Sequence, residues 1–167
     1  MSPPPSARYD FQGYTPGAIG EITAAHAVYY HAHWGLDASF ESQVARELAA
    51  FVADFQRNRD GLWVAVSSGR FAGSIAIDAK LAATEGARLR WFIVVEAHQG
   101  GGIGRALLEQ AVDHCRGKGY RLVFLWTFAG LTCARKLYEE VGFGLVEQHA
   151  VHQWGQQITE QKFVLDL

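Results

Sequence analysis

Between Trp91 and Leu108 the chain changes its local pattern twice within eighteen residues, and few folds accommodate that. Trp91 to Val95 is an unbroken apolar run of aromatic and β-branched residues, the composition of a buried strand. The run breaks at Gly100, Gly101, Gly102 and Gly104. Beyond it, Ile103, Leu107, Leu108, Ala111, Val112 and Cys115 recur at the spacing of one helix face. A strand, a glycine turn and a helix N-terminus in that order form a phosphate-binding arrangement. Free backbone N–H groups and the positive end of the helix dipole converge there, and glycine lets the backbone approach the ligand closely.

Spacing separates the glycine motifs that share this arrangement. A P-loop requires Gly-Lys-Ser/Thr at its end, and Arg105-Ala106 follows Gly104 instead. A dinucleotide fingerprint requires a small residue three positions after its second glycine, where Leu107 stands. Gln99-Gly100-Gly101-Gly102-Ile103-Gly104 instead matches Gln/Arg-x-x-Gly-x-Gly/Ala, and in this the chain resembles the GNAT acyltransferases. A second segment, Ala134-Arg135-Lys136-Leu137-Tyr138-Glu139-Glu140-Val141-Gly142-Phe143, is similar to that family's Ala-x-x-Leu-Tyr-x-x-x-Gly-Phe. Leu131 departs from it, since many members carry Asn there, so an Asn contact to the pantetheine arm is not carried over. A narrower resemblance lies in Trp34 to Glu41, Leu125 to Leu131 and Thr159 to Gln161. These are similar to the acetyltransferase half of bacterial proteins that fuse a MarR-type winged helix to a GNAT domain; the winged helix and its DNA binding are not carried over.

The remaining patterns supply an element order. Tyr9 to Tyr14 reads as a strand, and a helix follows from Thr15-Pro16 to about Trp34, ended by Gly35. A second helix, capped by Asp37 or Ser39, runs to about Arg57 on the stripe Val44, Leu48, Phe51, Val52 and Phe55. Strands at Leu62–Ser67, Arg70–Asp78 and Ala87–Val95 come next, the first two joined across Ser68-Gly69. After the helix from Ile103 to Lys118 come a strand at Leu122–Thr127, a helix through Leu131 to Val141, and strands at about Leu145–Gln153 and Glu160–Leu167. The order β-α-α-β-β-β-α-β-α-β-β predicts an α/β (α+β) fold with a mixed sheet of about seven strands and helices on both faces. It is also the GNAT order.

Length and composition set the outer limits. The 167 residues suit one domain, expected over 8–167 after a disordered tail at 1–7. With 49% apolar and 19% charged residues and a net charge of −2, nothing points to nucleic acid as a partner. No apolar run approaches the roughly 18 residues of a membrane helix. Cys115 and Cys133 are expected as buried thiols rather than a disulfide, in keeping with a cytoplasmic location.

The resemblance implies acetyl-CoA as cofactor, lying where two parallel strands splay apart, with the backbone of Ile93, Val94 and Val95 bonded to pantetheine. Gln99, Gly100, Gly101, Gly102, Ile103, Gly104 and Arg105 would meet the pyrophosphate, and Lys136 or Arg135 the adenosine phosphates. Tyr138 is the expected proton donor to the leaving thiolate, because a phenol with a pKa near 10 is protonated at neutral pH. A backbone N–H near Val94 or Val95 would meet the oxyanion. Glu96 is the first candidate base, with His26, His33 and Tyr30 as alternatives. The stripe Ile22, Ala25, His26, Tyr29, Tyr30 and His33 is aromatic and polar enough to border a cavity. Asp37 and Glu41 are candidates for an ammonium group, and Trp34 and Trp126, with Phe40 and Trp91, for an acceptor pocket. His26, His31 and His33 lack the i, i+4 spacing of helical metal ligands, so no metal is expected.

The expected activity is transfer of an acetyl group to the amine of a small molecule or amino acid, by direct attack in a ternary complex and in a monomer or homodimer. Peptide acceptors stay open, as do two rivals. One is a non-catalytic acyl-CoA sensor; the other is a nucleotide-binding module.

Overall fold

The computed structural model describes residues 9–167, so the expectation of a disordered tail at 1–7 lies outside the described residues. Seven strands form one sheet: β1 (Asp10–Gln12), β2 (Gly61–Ser67), β3 (Arg70–Asp78), β4 (Ala87–Val94), β5 (Leu122–Phe128), β6 (Gly144–Gln153) and β7 (Gln156–Asp166). Their spatial order is β1-β2-β3-β4-β5-β7-β6. Four helices accompany them: α1 (Ala18–Trp34), α2 (Ala38–Ala53), α3 (Ile103–Gly117) and α4 (Thr132–Val141). None is long and apolar enough to cross a membrane. The element order matches the sequence reading throughout.

Alternation along the strands sorts the core into two layers. Ala87, Leu89, Val123, Leu125, Phe163 and Leu165 face α3 and α4, where they meet Leu107, Leu108, Ala111 and Tyr138. On the other face, Leu62, Val64, Ala76 and Trp91 pack against Ile22 of α1 and Val44, Leu48 and Phe51 of α2.

Several boundaries differ from expectation. Helix α1 begins at Ala18, because Gly17 takes a left-handed φ of 95° and Ala18 N–H bonds to Thr15 O. Helix α2 stops at Ala53 instead of Arg57. The chain beyond it is fastened by buried Asp60, which accepts hydrogen bonds from the backbone of Gln56 and Ala79 and from the Arg59 guanidinium. Strand β7 begins at Gln156, four residues early, because Trp154-Gly155 forms a two-residue turn with φ of 53° and 80°. Those values suit the type I′ hairpin, yet Trp is rarely found there. Cys115 is buried as expected, but Cys133 is exposed, at the solvent-facing start of α4.

Where strands meet in the middle of the sheet, the pairing fails. Strands β4 and β5 run parallel and are matched only at Ala87↔Val123 and Arg88↔Phe124. On its other edge β5 stays paired with β7 from Leu122 to Phe128. Strand β4 is bent by a bulge in which Trp91 and Phe92 stand opposite Ile75 of β3. Trp91 has φ of 48°, and its carbonyl accepts a bond from Ser74 Oγ at 2.8 Å. Beyond Arg88 the two strands therefore diverge and open a V-shaped gap.

Candidate active site

The gap continues into a cleft of about 990 Å³ that passes through the sheet between the two helical layers. Its upper wall is the turn between β4 and α3. Gly100 and Gly102 have φ of 79° and 85°, so both sit in the left-handed region that favours glycine. Gly102 caps α3 without any side-chain hydrogen bond, and the first helical turn carries no acidic residue. The leading N–H groups of α3 are thus left for an anion. At Gly104 an added Cβ would lie 3.2 Å from Leu137, which shows how closely α3 approaches α4.

Gln99, Gly100, Gly102, Ile103, Gly104, Arg105 and Lys136 all line this end of the cleft, as do Ile93 and Val94. Gly101 does not; it turns toward the Tyr9 hydroxyl and the His98 carbonyl. Arg105 is tied to Glu140, so an anion there would compete with that carboxylate. Arg135 is bonded to Glu139 at 2.7 Å, whereas Lys136 has no carboxylate within 4 Å among the described residues. Val95 is a correction to the expected contacts. Its N–H is bonded to Ala72 O at 3.0 Å and points to β3. Since N–H groups alternate between the two edges of a strand, Val94 N–H points into the gap. Gln99 secures the turn from below by donating from Nε2 to Val94 O at 3.0 Å.

Tyr138 rises from α4 into the middle of the cleft, packed among Phe92, Phe143 and Phe163 with only 5% of its surface exposed. Burial, reinforced by neighbouring Tyr30, pushes its phenol well above the ordinary tyrosine range. It is protonated at any physiological pH. Tyr30 is raised by burial in the same way. His26, one turn before Tyr30 on α1, also faces the cleft, and its Nδ1–H donates to Ile22 O at 2.8 Å. Burial lowers its pKa to about 4, so it is neutral with Nε2 bare.

The other expected acceptor residues divide. Tyr30 and Trp126 line the cleft. Glu96, His33, Trp34, Asp37 and Glu41 are outside its lining. Glu96 and His33 bond to each other at 2.6 Å on the surface, which joins the end of α1 to the turn after β4. Asp37 is the N-cap of α2, where it accepts from Ser39 N at 2.9 Å, and its carboxyl is held below the ordinary range by those Ser39 bonds. Trp34 packs on Phe128 and covers Gly130. Among the described residues no group of three His, Cys, Asp or Glu is arranged to hold a metal.

In their place the lower end of the cleft carries charged residues not singled out from the sequence. Arg88 and Arg90 project from β4, Gln43 and Glu47 from α2, and Glu160 from β7. Arg90 stacks over Trp91 at 4.2 Å and pairs with Glu47. Glu160 receives a hydrogen bond from His149 at 3.2 Å. Trp154 closes the wall: its Nε1–H donates to Gln43 Oε1 at 2.9 Å and its ring meets Phe40 and Phe128. The available signal was in β4 itself, where two arginines interrupt a strand with neighbours on both edges.

The acetyltransferase (GNAT) family model matches residues 24–143, which include the bulge, the glycine turn and α4. The chain belongs to the acetyltransferase (GNAT) family. Acetyl-CoA is the family's cofactor. An uncharacterized N-acetyltransferase of Methanocaldococcus jannaschii is 27% identical over 131 residues, covering 76% of this chain. This chain spans only 57% of that relative's length. Mycothiol acetyltransferase of Corynebacterium glutamicum is 39% identical over 57 residues, which is 34% of this chain and 20% of that protein. Among solved structures, an acetyltransferase from Streptococcus agalactiae superposes with a TM-score of 0.74 at 18% identity, covering 96% of this chain and 99% of its own. The Salmonella typhimurium protein yncA, solved with its cofactor acetyl-CoA, has a TM-score of 0.66 at 17% identity, covering 95% and 94%. Both show the fold.

The cleft suits such a cofactor. An uncapped helix N-terminus and two left-handed glycines provide for a pyrophosphate. The unpaired edge of β4 could take an amide-bearing arm, and Tyr138 lines the same cleft.

Proposed function

We propose that this chain is an acetyl-CoA-dependent N-acetyltransferase that acts on the amine of a small molecule or amino acid, with cofactor and acceptor bound together. The observation that carries the reading is that Tyr138 opens into the same cleft as the glycine turn on one side and the charged acceptor floor on the other. When bound, acetyl-CoA supplies a thioester that an amine can attack. The chain's part would be to hold the thioester along β4, where Val94 N–H points into the gap and would be available to a developing oxyanion. Tyr138 donates to the departing sulfur, its proton retained there by burial. Cys115 offers no covalent acetyl-cysteine route, because burial raises its thiol to about 12 and it lies outside the cleft lining.

The acceptor must present a free amine. At pH 7 this costs about 1 kcal/mol for a peptide N-terminal α-amine with a pKa near 8, and roughly 4–5 kcal/mol for an alkylamine near 10.4, with the α-amine of a free amino acid between them. Glu160, which lines the cleft, replaces Glu96 as the carboxylate that takes this proton, through water. A cytoplasmic setting accords with the two free thiols, Cys115 and Cys133.

The deciding experiment is CoA release from acetyl-CoA with amino acids, polyamines and other small amines, repeated with Tyr138→Phe. The variant is expected to lose on the order of 10²–10⁴ in kcat with acetyl-CoA affinity unchanged. An unchanged kcat removes Tyr138 from the chemistry. Acetyl-CoA binding without acetylation of any amine favours the sensor instead.

A further inference from the structure

Arg88 has no carboxylate within 4 Å among the described residues, although it is half-buried and lines the cleft. A ready partner stands beside it. Asp78 is its cross-strand neighbour on β3, but the Asp78 carboxylate approaches Arg90 at 3.7 Å and accepts from Lys80 N at 3.2 Å. Glu47 is likewise taken by Arg90. The next cation, Lys162 on β7, also lacks a carboxylate within 4 Å; its Nζ lies 5.0 Å over the Phe124 ring and 5.8 Å over Trp126. A guanidinium withdrawn from water without a direct partner is costly, and burial lowers the Arg88 pKa, with Arg90 adding to the effect and the more distant Glu47, Asp78 and Glu85 opposing it. Such a group is retained where a ligand completes its charge.

The sheet register supplies the spacing. Arg88 is opposite Phe124 on β5, and Glu160 is opposite Phe128. The two levels are four residues apart, about 13 Å along the strand. Both side chains line the cleft on the α1–α2 side, with Trp126 between their levels. Both side chains are long, and both open into the same cleft between those levels.

We propose that the acceptor is an amine that also carries a carboxylate, the amino-acid class, and that Arg88 receives the carboxylate while the amine is held toward Glu160 and Tyr138. A guanidinium can grip a carboxylate through two parallel N–H bonds, which fixes orientation as well as charge. This assignment rests on the transferase reading above and narrows it.

The test uses the full chain with saturating acetyl-CoA and compares free amino acids with their carboxamides and their decarboxylated amines. The acids are expected to exceed the counterparts that lack a carboxylate by about 100-fold in kcat/KM, because a site built around a charged partner rejects the analogue that lacks it. Arg88→Gln should erase that preference by raising KM for the acids about 100-fold while the Kd for acetyl-CoA stays put, and Arg88→Lys should recover part of it. The wild-type comparison stands even where a variant fails to fold. Equal use of acid and amide, or a preference that survives in Arg88→Gln, overturns the assignment and leaves the transferase intact. Acetyl-CoA binding with no amino acid acetylated overturns it as well, and moves the transferase reading to other amines. Failure to bind acetyl-CoA brings down both readings.

Discussion

At the end of the cleft beside α3, the contacts offered to a ligand come mainly from backbone: two left-handed glycines, an uncapped helix N-terminus and the bare edge of β4. At the end beneath α1 and α2 they come from side chains that already hold one another, as Arg90 does with Glu47, Glu160 with His149, and Trp154 with Gln43. The first construction accepts one kind of ligand and tolerates wide changes of sequence elsewhere. The second can be retuned one residue at a time. Selection for a new acceptor can therefore rework the floor of the cleft without disturbing the turn.

Three substitutions separate the two ends, beginning with the largest effect. Gly102→Val places a β-branched residue at φ of 85° and distorts the first turn of α3. It should weaken acetyl-CoA binding about 1,000-fold, roughly 4 kcal/mol, with the acid-over-amide preference retained. Titration of acetyl-CoA by calorimetry reads this, and an unchanged Kd would show that the turn is not the phosphate site.

At the acceptor end, His26 makes the fold sensitive to acid. The unfolded chain protonates this residue near pH 6.5, the folded one only near 4. Protons therefore favour the unfolded chain between those values. Stability is unaffected above pH 6.5 and falls as pH drops toward 4, by about 3 kcal/mol in all. His26→Gln should flatten this part of the pH profile in urea unfolding. A variant that stays as acid-sensitive as wild type would place the effect on another group.

Glu47→Gln gives the smallest change. Arg90 keeps the more distant Asp78, and Glu47 is itself 38% exposed, so the loss of stability should be only about 1 kcal/mol. Freeing Arg90 beside Arg88 should change KM for acidic acceptors about tenfold and leave acetyl-CoA binding alone. Steady-state kinetics in each substrate tests this, and a shift confined to acetyl-CoA would overturn the division of the cleft.

The same contrast explains what could be read from the sequence. Backbone chemistry leaves a linear trace: Gln99 to Gly104 must be contiguous to shape a turn, and Leu137, Tyr138 and Gly142 must keep helical step to meet it. The element order followed from periodicity for the same reason. Side-chain chemistry leaves no such trace. Glu96 and His33 looked free in the sequence but bond to each other 63 positions apart. Asp37 was legible both as the cap of α2 and as an ammonium ligand, and it is the cap. Val95 looked equivalent to Val94 until strand pairing turned its N–H toward Ala72. Glu160 was hidden because β7 begins early, behind a turn that uses Trp154 where Asn or Gly is usual. Arg88 and Arg90 were visible, and a charged pair within a central strand merits the inference that water or ligand reaches it.

The two-residue seam between β4 and β5 also divides the sheet. Seven strands are joined as a block of four and a block of three, with only Ala87–Val123 and Arg88–Phe124 bridging them in register. Whatever lies along the open edge becomes a temporary rung between the blocks, so occupancy and mechanical stiffness rise together. At a hundred times its Kd, such a ligand adds about 2.7 kcal/mol to the stability of the fold, or roughly 5–10 °C in Tm. The backbone amide of Val94 would exchange rapidly with deuterium when the edge is bare and slowly when it is bridged. Through that seam, the tightness of the sheet is coupled to the concentration of a small molecule.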